Sequence, residues 1–282
     1  MDIKIKLIAA LIAILSILSC VKGANMDNEM IRQLYQDPKK FNKDYKGKDV
    51  DLSNTNMRDL EVTGVNLSGA DLSKADLRNT YFYKSNLKQA NLTRARMTGA
   101  TFENCTMDGA IIKKTRINKV KLQDCSINES DLSDSKLNEV TFALCDLTDS
   151  TLNNIQCQEC YFYKTEIQDC EAENSTFKKG IINDSRFLSS NLIDARFQTK
   201  IIEYSSFGDC ILTRADFSGS TLKGQLWSQP SFLEAEAQNA SFSKCRMYFV
   251  CMSDANLENA DFTDASLELL GFEYANLTNA NF

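Results

Sequence analysis

Ten cysteines and no histidine set the chemistry available to this 282-residue chain. Cys157-Gln158-Glu159-Cys160 has the C-x-x-C spacing shared by redox dithiols and by half of a zinc site. Cys105, Cys125 and Cys145 recur at intervals of twenty residues. Without histidine a mixed Cys/His zinc site cannot be completed, and the commonest general base is missing. The expectation is therefore no bound metal, no cofactor and no catalytic centre.

The elements that carry these cysteines follow an unusual period. From Leu52 to Phe282, every fifth residue is large and apolar: 44 of 47 such positions are Leu, Ile, Val, Met, Phe or Trp, and only Cys157, Ala172 and Ala237 are smaller. Two residues earlier, 36 of 47 positions are Ala, Ser, Thr, Cys or Gly. A period of five fits neither an α-helix nor a flat strand, so a repeat architecture must be considered first. A five-residue unit buries its apolar side chain only against copies of itself, which implies a solenoid with two inward columns, one large and one small. Seven cysteines (Cys105, Cys125, Cys145, Cys160, Cys170, Cys210 and Cys245) fall on the small column and Cys157 on the large one, while Cys20 and Cys251 lie elsewhere. Buried free cysteine behaves as a small hydrophobe, so these are read as core filler. Asp and Ser residues follow the repeat phase and do not converge on a cleft.

Ala70-Asp71-Leu72-Ser73-Lys74, Ala75-Asp76-Leu77-Arg78-Asn79, Ala90-Asn91-Leu92-Thr93-Arg94, Ala255-Asn256-Leu257-Glu258-Asn259 and Ala275-Asn276-Leu277-Thr278-Asn279 each resemble the A(D/N)LXX unit of pentapeptide repeat proteins. The resemblance covers residues 50–282. It implies an all-β fold, a right-handed quadrilateral parallel β-helix in which four units make one coil and residue n sits over residue n+20. On that basis the array makes about 11.5 coils and a rod of about 55 Å at ~4.8 Å per coil. Cys105, Cys125 and Cys145 then stack on successive coils with poor geometry for disulfides. From Cys105 to Cys210 the small column departs from alanine, but the phase is kept.

The same stacking places Tyr161, Ile181 and Ile201 in one outward ladder, with Ala143, Leu144, Tyr163 and Tyr204 on the same face. An exposed apolar patch on a polar rod is a candidate interaction surface. Two local faults are expected: Lys200 occupies a small-column site, and Gln225, Pro230 and Ala237 break the preferences near Trp227, predicting a bulge or bend over 225–237.

Upstream of the array the sequence changes character. Lys4 and Lys6 precede an apolar run from Leu7 to Leu18, too short for the ~20 residues of a spanning helix, so residues 1–19 read as a signal peptide. Ile17-Leu18-Ser19-Cys20 resembles a bacterial lipobox, which implies lipidation at Cys20 and attachment to a bilayer in the bacterial cell envelope. Residues 20–25 would be the tether. Residues 26–49 lack the five-residue phase; Met26, Met30, Ile31, Leu34 and Tyr35 fall at helical spacing before Pro38, with Phe41 and Tyr45 following, as a helical cap on the first coil requires. At the other end Phe272, Leu277 and Phe282 leave an apolar coil without a cap, and similar family members dimerise through such ends, so a C-terminal homodimer is expected.

The net charge is −6 and becomes −7 once Asp2, Lys4 and Lys6 are removed. That mild excess disfavours nonspecific nucleic-acid binding. Two functions compete. One is a non-enzymatic, membrane-anchored scaffold for an unknown protein partner. The other follows family members whose acidic rod mimics DNA and binds DNA gyrase in the cytoplasm. In the outward column Lys74, Arg94, Lys114, Asp134, Asn154, Asn174, Asp194, Arg214 the charges are mixed, so the scaffold is favoured.

Overall fold

A computed structural model describes residues 29–224 and 232–282. The signal segment, Cys20, the tether, Met26, Gln225, Trp227 and Pro230 lie outside the described residues.

From Val50 onward the inward positions are buried and the others face out, as the five-residue phase requires. Each unit turns at its fifth residue, which adopts φ between +49° and +75° from Asn54 to Asn279 wherever the pattern is unbroken. Where the turn is hydrogen-bonded, as in Thr55 N–H to Leu52 C=O at 3.3 Å and Ala70 N–H to Leu67 C=O at 3.0 Å, this residue supplies the positive φ of a type II turn. Four such turns close a square coil. Backbone groups left unpaired within it bond to the next coil, as in Leu52 N–H to Asp71 C=O at 2.8 Å and Asp71 N–H to Val50 C=O at 2.9 Å.

The result is a four-sided parallel β-helix. One face is an 11-stranded parallel sheet that runs from β1 (Glu61–Thr63) to β15 (Ser266–Glu268). It includes β9 (Tyr161–Tyr163), β11 (Ile181–Asn183), β12 (Ile201–Glu203), β13 (Thr221–Lys223) and β14 (Arg246–Tyr248). The preceding face carries a 4-stranded sheet of β4 (Arg116–Asn118), β6 (Lys136–Asn138), β8 (Gln156–Gln158) and β10 (Thr176–Lys178). The other two faces are held by single parallel bridges such as Asp51 to Asp71 and Asn66 to Asn86. Asp and Asn recur there because their side chains cap the local backbone: Asp71 Oδ1 accepts from Ser73 N–H at 2.8 Å and from Asn91 Nδ2 one coil on at 3.1 Å.

The core is a pair of stacked ring columns in the C-terminal half. Phe177, Phe197 and Phe217 stack with centroids 4.8 Å apart, and Phe187 and Phe207 meet them edge-on at 5.1–6.1 Å. In the small column, Ser and Thr replace Ala without leaving polar atoms stranded. Ser130 Oγ donates to Met107 C=O at 2.9 Å and accepts from Ala110 N–H at 3.2 Å; Ser150 Oγ donates to Ile127 C=O at 2.8 Å. The departure from alanine is thus compensated by bonds to the coil before.

Stacking by twenty is interrupted once. Ile202 pairs with Leu222, but Thr221 pairs with Arg246 and Ile211 with Glu236, twenty-five residues on. One additional unit lies between Gly224 and Phe232, so the array has a quarter coil fewer than division by twenty gives. The bend expected over 225–237 does not extend to 232–237, where Phe232 and Ala237 are buried in phase. Lys200 is also corrected: it is exposed, and Thr199 takes the inward place, its N–H bonded to Ser220 Oγ at 3.1 Å. A lysine ammonium is too costly to bury unpaired, and shifting by one residue avoids it.

The N-terminal cap is two helices, not one. α1 (Glu29–Gln36) buries Ile31 and Leu34. Pro38 ends α1 but also opens α2 (Pro38–Asp44), where a missing N–H costs nothing, and Asp37 caps it by accepting from Lys40 N–H at 3.0 Å. Phe41 is fully buried, and Asn42 pins the cap to the first coil, donating to Gly64 C=O at 2.9 Å and accepting from Asn66 N–H at 2.7 Å. Among the described residues no helix is long and apolar enough to cross a membrane.

Candidate protein-interaction face

The outward ladder lies on the 11-stranded sheet. Tyr161 pairs with Ile181, and Ile181 with Ile201, in consecutive parallel strands, which sets the three side chains in one row. Ala143 and Tyr163 form the neighbouring row, and Leu144 and Tyr204 stand at the corner beyond it in the positive-φ position. Leu144 is 47% exposed, Tyr204 42% and Tyr161 36%; Tyr163, Ile181, Ile201 and Ala143 are half-buried by their neighbours. The Tyr161 and Tyr163 rings lie parallel with centroids 6.2 Å apart, and Lys164 Nζ sits 5.4 Å from the Tyr163 ring. The structure therefore brings all seven residues onto one side of the rod.

Tyr81 and Tyr83, four coils earlier, repeat this pair at 6.1 Å. There the Tyr81 hydroxyl donates to Glu103 Oε2 at 2.7 Å, and that carboxylate raises its pKa to about 12. The lower pair is thus tied to a carboxylate, whereas among the described residues the Tyr161 hydroxyl donates to none.

Of the cysteines, Cys105, Cys125, Cys145, Cys170, Cys210 and Cys245 are buried free thiols. Burial pushes Cys170, Cys210 and Cys245 up to about 12. The core-filler reading is corrected for two of them: Cys157 and Cys160 form a disulfide, with Cα atoms 5.7 Å apart. Cysteine in place of a large centre residue leaves room for its sulfur to meet the next small-column side chain across the corner. Among the described residues no three His, Cys, Asp or Glu side chains gather to hold a metal.

One feature was not singled out from the sequence. Glu129, Asp149, Asp169, Asp209, Glu234 and Asp254 line a single corner over seven coils, interrupted only by Ser189. Among the described residues none of these six forms an ion pair. The carboxylates from Glu129 to Asp209 follow the spacing of twenty, but Glu234 stands twenty-five residues after Asp209, so only the folded register carries the row on to Glu234 and Asp254.

At the chain ends, Phe272 and Leu277 are half-buried and Phe282 is 61% exposed; Tyr274 and Leu269 beside them are 90% and 63% exposed.

Comparison with known proteins agrees with this architecture. A model described as a pentapeptide repeat region matches residues 95–171, and one for eight copies of pentapeptide repeats matches 48–82, 75–113 and 240–282. No curated protein matches the sequence. Among solved structures, HetL, a pentapeptide repeat protein involved in heterocyst differentiation regulation from the cyanobacterium Nostoc sp. strain PCC 7120, is 20% identical. The match covers 82% of this chain and 86% of HetL at a TM-score of 0.35. QnrB1, a plasmid-mediated fluoroquinolone resistance protein, is 16% identical over 67% of this chain and 90% of its own, at a TM-score of 0.30. The family matches together span more than half of the sequence, in the same five-residue phase that builds the coils, and the chain belongs to the pentapeptide repeat family.

Proposed function

We propose that this protein is a non-enzymatic scaffold that docks a partner protein on the face centred on Tyr161, held at the bacterial cell envelope by a lipid on Cys20. The observation that carries the reading is the apolar row Tyr161, Ile181, Ile201 with Leu144 and Tyr204 exposed at its edge; Ile111 and Ile211, on another face, are exposed singly and five coils apart. Tyrosines are among the residues enriched in the buried centres of protein interfaces. The disulfide Cys157–Cys160 supports an oxidising compartment. The test places a photo-crosslinking residue at position 161 and, as control, at position 129 on the acidic corner. Adducts of defined mass in native cells from 161 and not from 129 support the reading; equal labelling at both defeats it. The mass of the N-terminal peptide decides the anchor, since an acylated Cys20 is expected and an unprocessed Met1 excludes it.

The acidic corner from Glu129 to Asp254 favours a second reading, a DNA-mimic that binds DNA gyrase or topoisomerase in the cytoplasm. Unpaired carboxylates repeated at the coil spacing of ~4.8 Å present the sign of charge that such mimicry needs. Inhibition of gyrase supercoiling by the purified chain, lost when the six carboxylates become amides, would establish it.

The exposed coil at Phe272, Leu277 and Phe282 is proposed to form a head-to-head homodimer. A monomer in sedimentation at tens of micromolar contradicts it.

A further inference from the structure

A second surface lies low on the rod, on faces the apolar row does not reach. Arg78, Arg94, Arg96, Lys114 and Arg116, with Ala95 and Thr98, line a groove of about 570 Å³. The volume is within the ~300–1,000 Å³ of small-molecule sites, but the walls carry guanidinium and ammonium groups where such sites are usually apolar.

What marks the groove is the density of cations on successive coils. At several other positions a cation has a carboxylate one coil away: Arg186 with Glu166 at 2.6 Å, Arg214 with Asp194 at 2.5 Å, Lys223 with Glu203 at 3.7 Å and Lys119 with Glu139 at 3.7 Å; in the groove only Arg96 does, with Asp76. Here like charges are stacked. Lys114 stands one coil above Arg94, both in positive-φ corners, and Arg116 one coil above Arg96, with Lys136 paired directly over Arg116. Stacked like charges are unfavourable, and the coil register fixes their backbones ~4.8 Å apart. The Arg94 corner is tied to the next coil, its backbone N–H donating to Thr115 Oγ1 at 3.0 Å. The nearby carboxylate, Asp76, is occupied by the Arg78 guanidinium, with Arg96 a further 3.7 Å contact. Among the described residues, Arg94, Lys114, Arg116 and Lys136 have no carboxylate within 4 Å.

We propose that this groove binds a compact anion carrying two or more phosphate groups. With Arg78 held by Asp76, the guanidinium planes of Arg94, Arg96 and Arg116 suit the bidentate recognition of phosphate, and a multiply charged ligand relieves the stacked repulsion. The anion must be compact. Asp134 lies over Lys114 on the same corner column, and the unpaired carboxylates begin at Glu129 one corner away, so an extended polyanion running up the rod would meet repulsion beyond the third cationic coil. The phosphates could belong to a free polyphosphate or to clustered lipid headgroups, and this inference is independent of the role of the Tyr161 face.

Titration calorimetry of inorganic triphosphate into the full chain tests it. One saturable site is expected, weakening as salt rises from about 50 to about 200 mM. The variant Arg94→Asn, Lys114→Asn, Arg116→Gln takes residues that the same columns use at Asn154, Asn174 and Gln156, so its coils should form. It should bind about tenfold more weakly. A control that removes the same charge elsewhere (Lys121→Gln, Lys178→Gln, Lys244→Asn) should keep the affinity. Absence of saturable binding, or equal loss in both variants, overturns the proposal. Retention on phosphatidylglycerol vesicles beyond that on phosphatidylcholine, reversed by triphosphate, assigns the site to headgroups; triphosphate binding without such retention assigns it to a soluble anion.

Discussion

Cys157 and Cys160 are joined across one corner of the rod, one from each inward column. Both are under 4% exposed, as are the six thiols of the small column. Cys251 alone among the described cysteines is half-buried. Alkylation of the folded protein should therefore label Cys251 and spare the others. After unfolding without reductant, seven of the nine described cysteines should react, with the peptide holding Cys157 and Cys160 unlabelled. Labelling of that peptide would show that the pair is reduced.

Phe197 is the centre of the ring columns, stacked on Phe177 and Phe217 and met edge-on by Phe187 and Phe207. Phe197→Ala should cost about 3–5 kcal/mol, because the flanking coils are fixed by their own ladders and collapse little into the space. Denaturant unfolding with an unchanged slope is the appropriate measure; a loss under ~1 kcal/mol would mean that the coils do close.

Asp76 is held below the usual carboxylate range by the Arg78 guanidinium. A carboxyl whose pKa is lowered by folding stabilises the protein above its unfolded value of about 3.9 and loses that contribution as pH falls through its folded value. Asp131, held low by Ser133 and Lys113, adds to the same acid limb. Asp76→Asn should cost about 1 kcal/mol near neutral pH, with the difference from the parent shrinking as pH drops below about 4. A difference that stays constant to pH 2 would remove the ion pair from the account.

Phe207 and Phe232 stack at 5.2 Å across twenty-five residues, as closely as Phe187 and Phe207 do across twenty. The coil beneath Phe232 therefore closes without the additional unit. Deleting residues 226–230 should leave the fold intact and shift Tm by no more than about 4 °C. Loss of cooperative unfolding would assign a structural role to that segment.

Much of this architecture can be read from the five-residue phase: the buried column from Leu52 to Phe262 follows from it directly, and with the coil of twenty so does the row Tyr161, Ile181, Ile201. What could not be read depends on neighbours in other coils. Thr199 and Lys200 compete for one inward place, and the choice rests on the cost of burying an ammonium beside Ser220. The Asn42 clamp needs the position of Gly64, twenty-two residues on. The Cys157–Cys160 bond needs the distance across a corner, and the continuation of the acidic corner to Glu234 and Asp254 needs the change of register after Gly224. The signal segment and Cys20 belong to a part of the chain whose logic is compositional and separate from the coil.

The register change has a directional consequence. Five residues laid evenly into a coil of twenty would carry every later strand a quarter of the way around the rod, and the sheet face would end at β13. Instead Thr221 and Arg246 keep the same bearing, so side chains before and after the break look out on the same side. The eleven strands form one uninterrupted wall about 50 Å long at ~4.8 Å per step, and a molecule lying along it from Glu61 to Glu268 would never have to turn a corner.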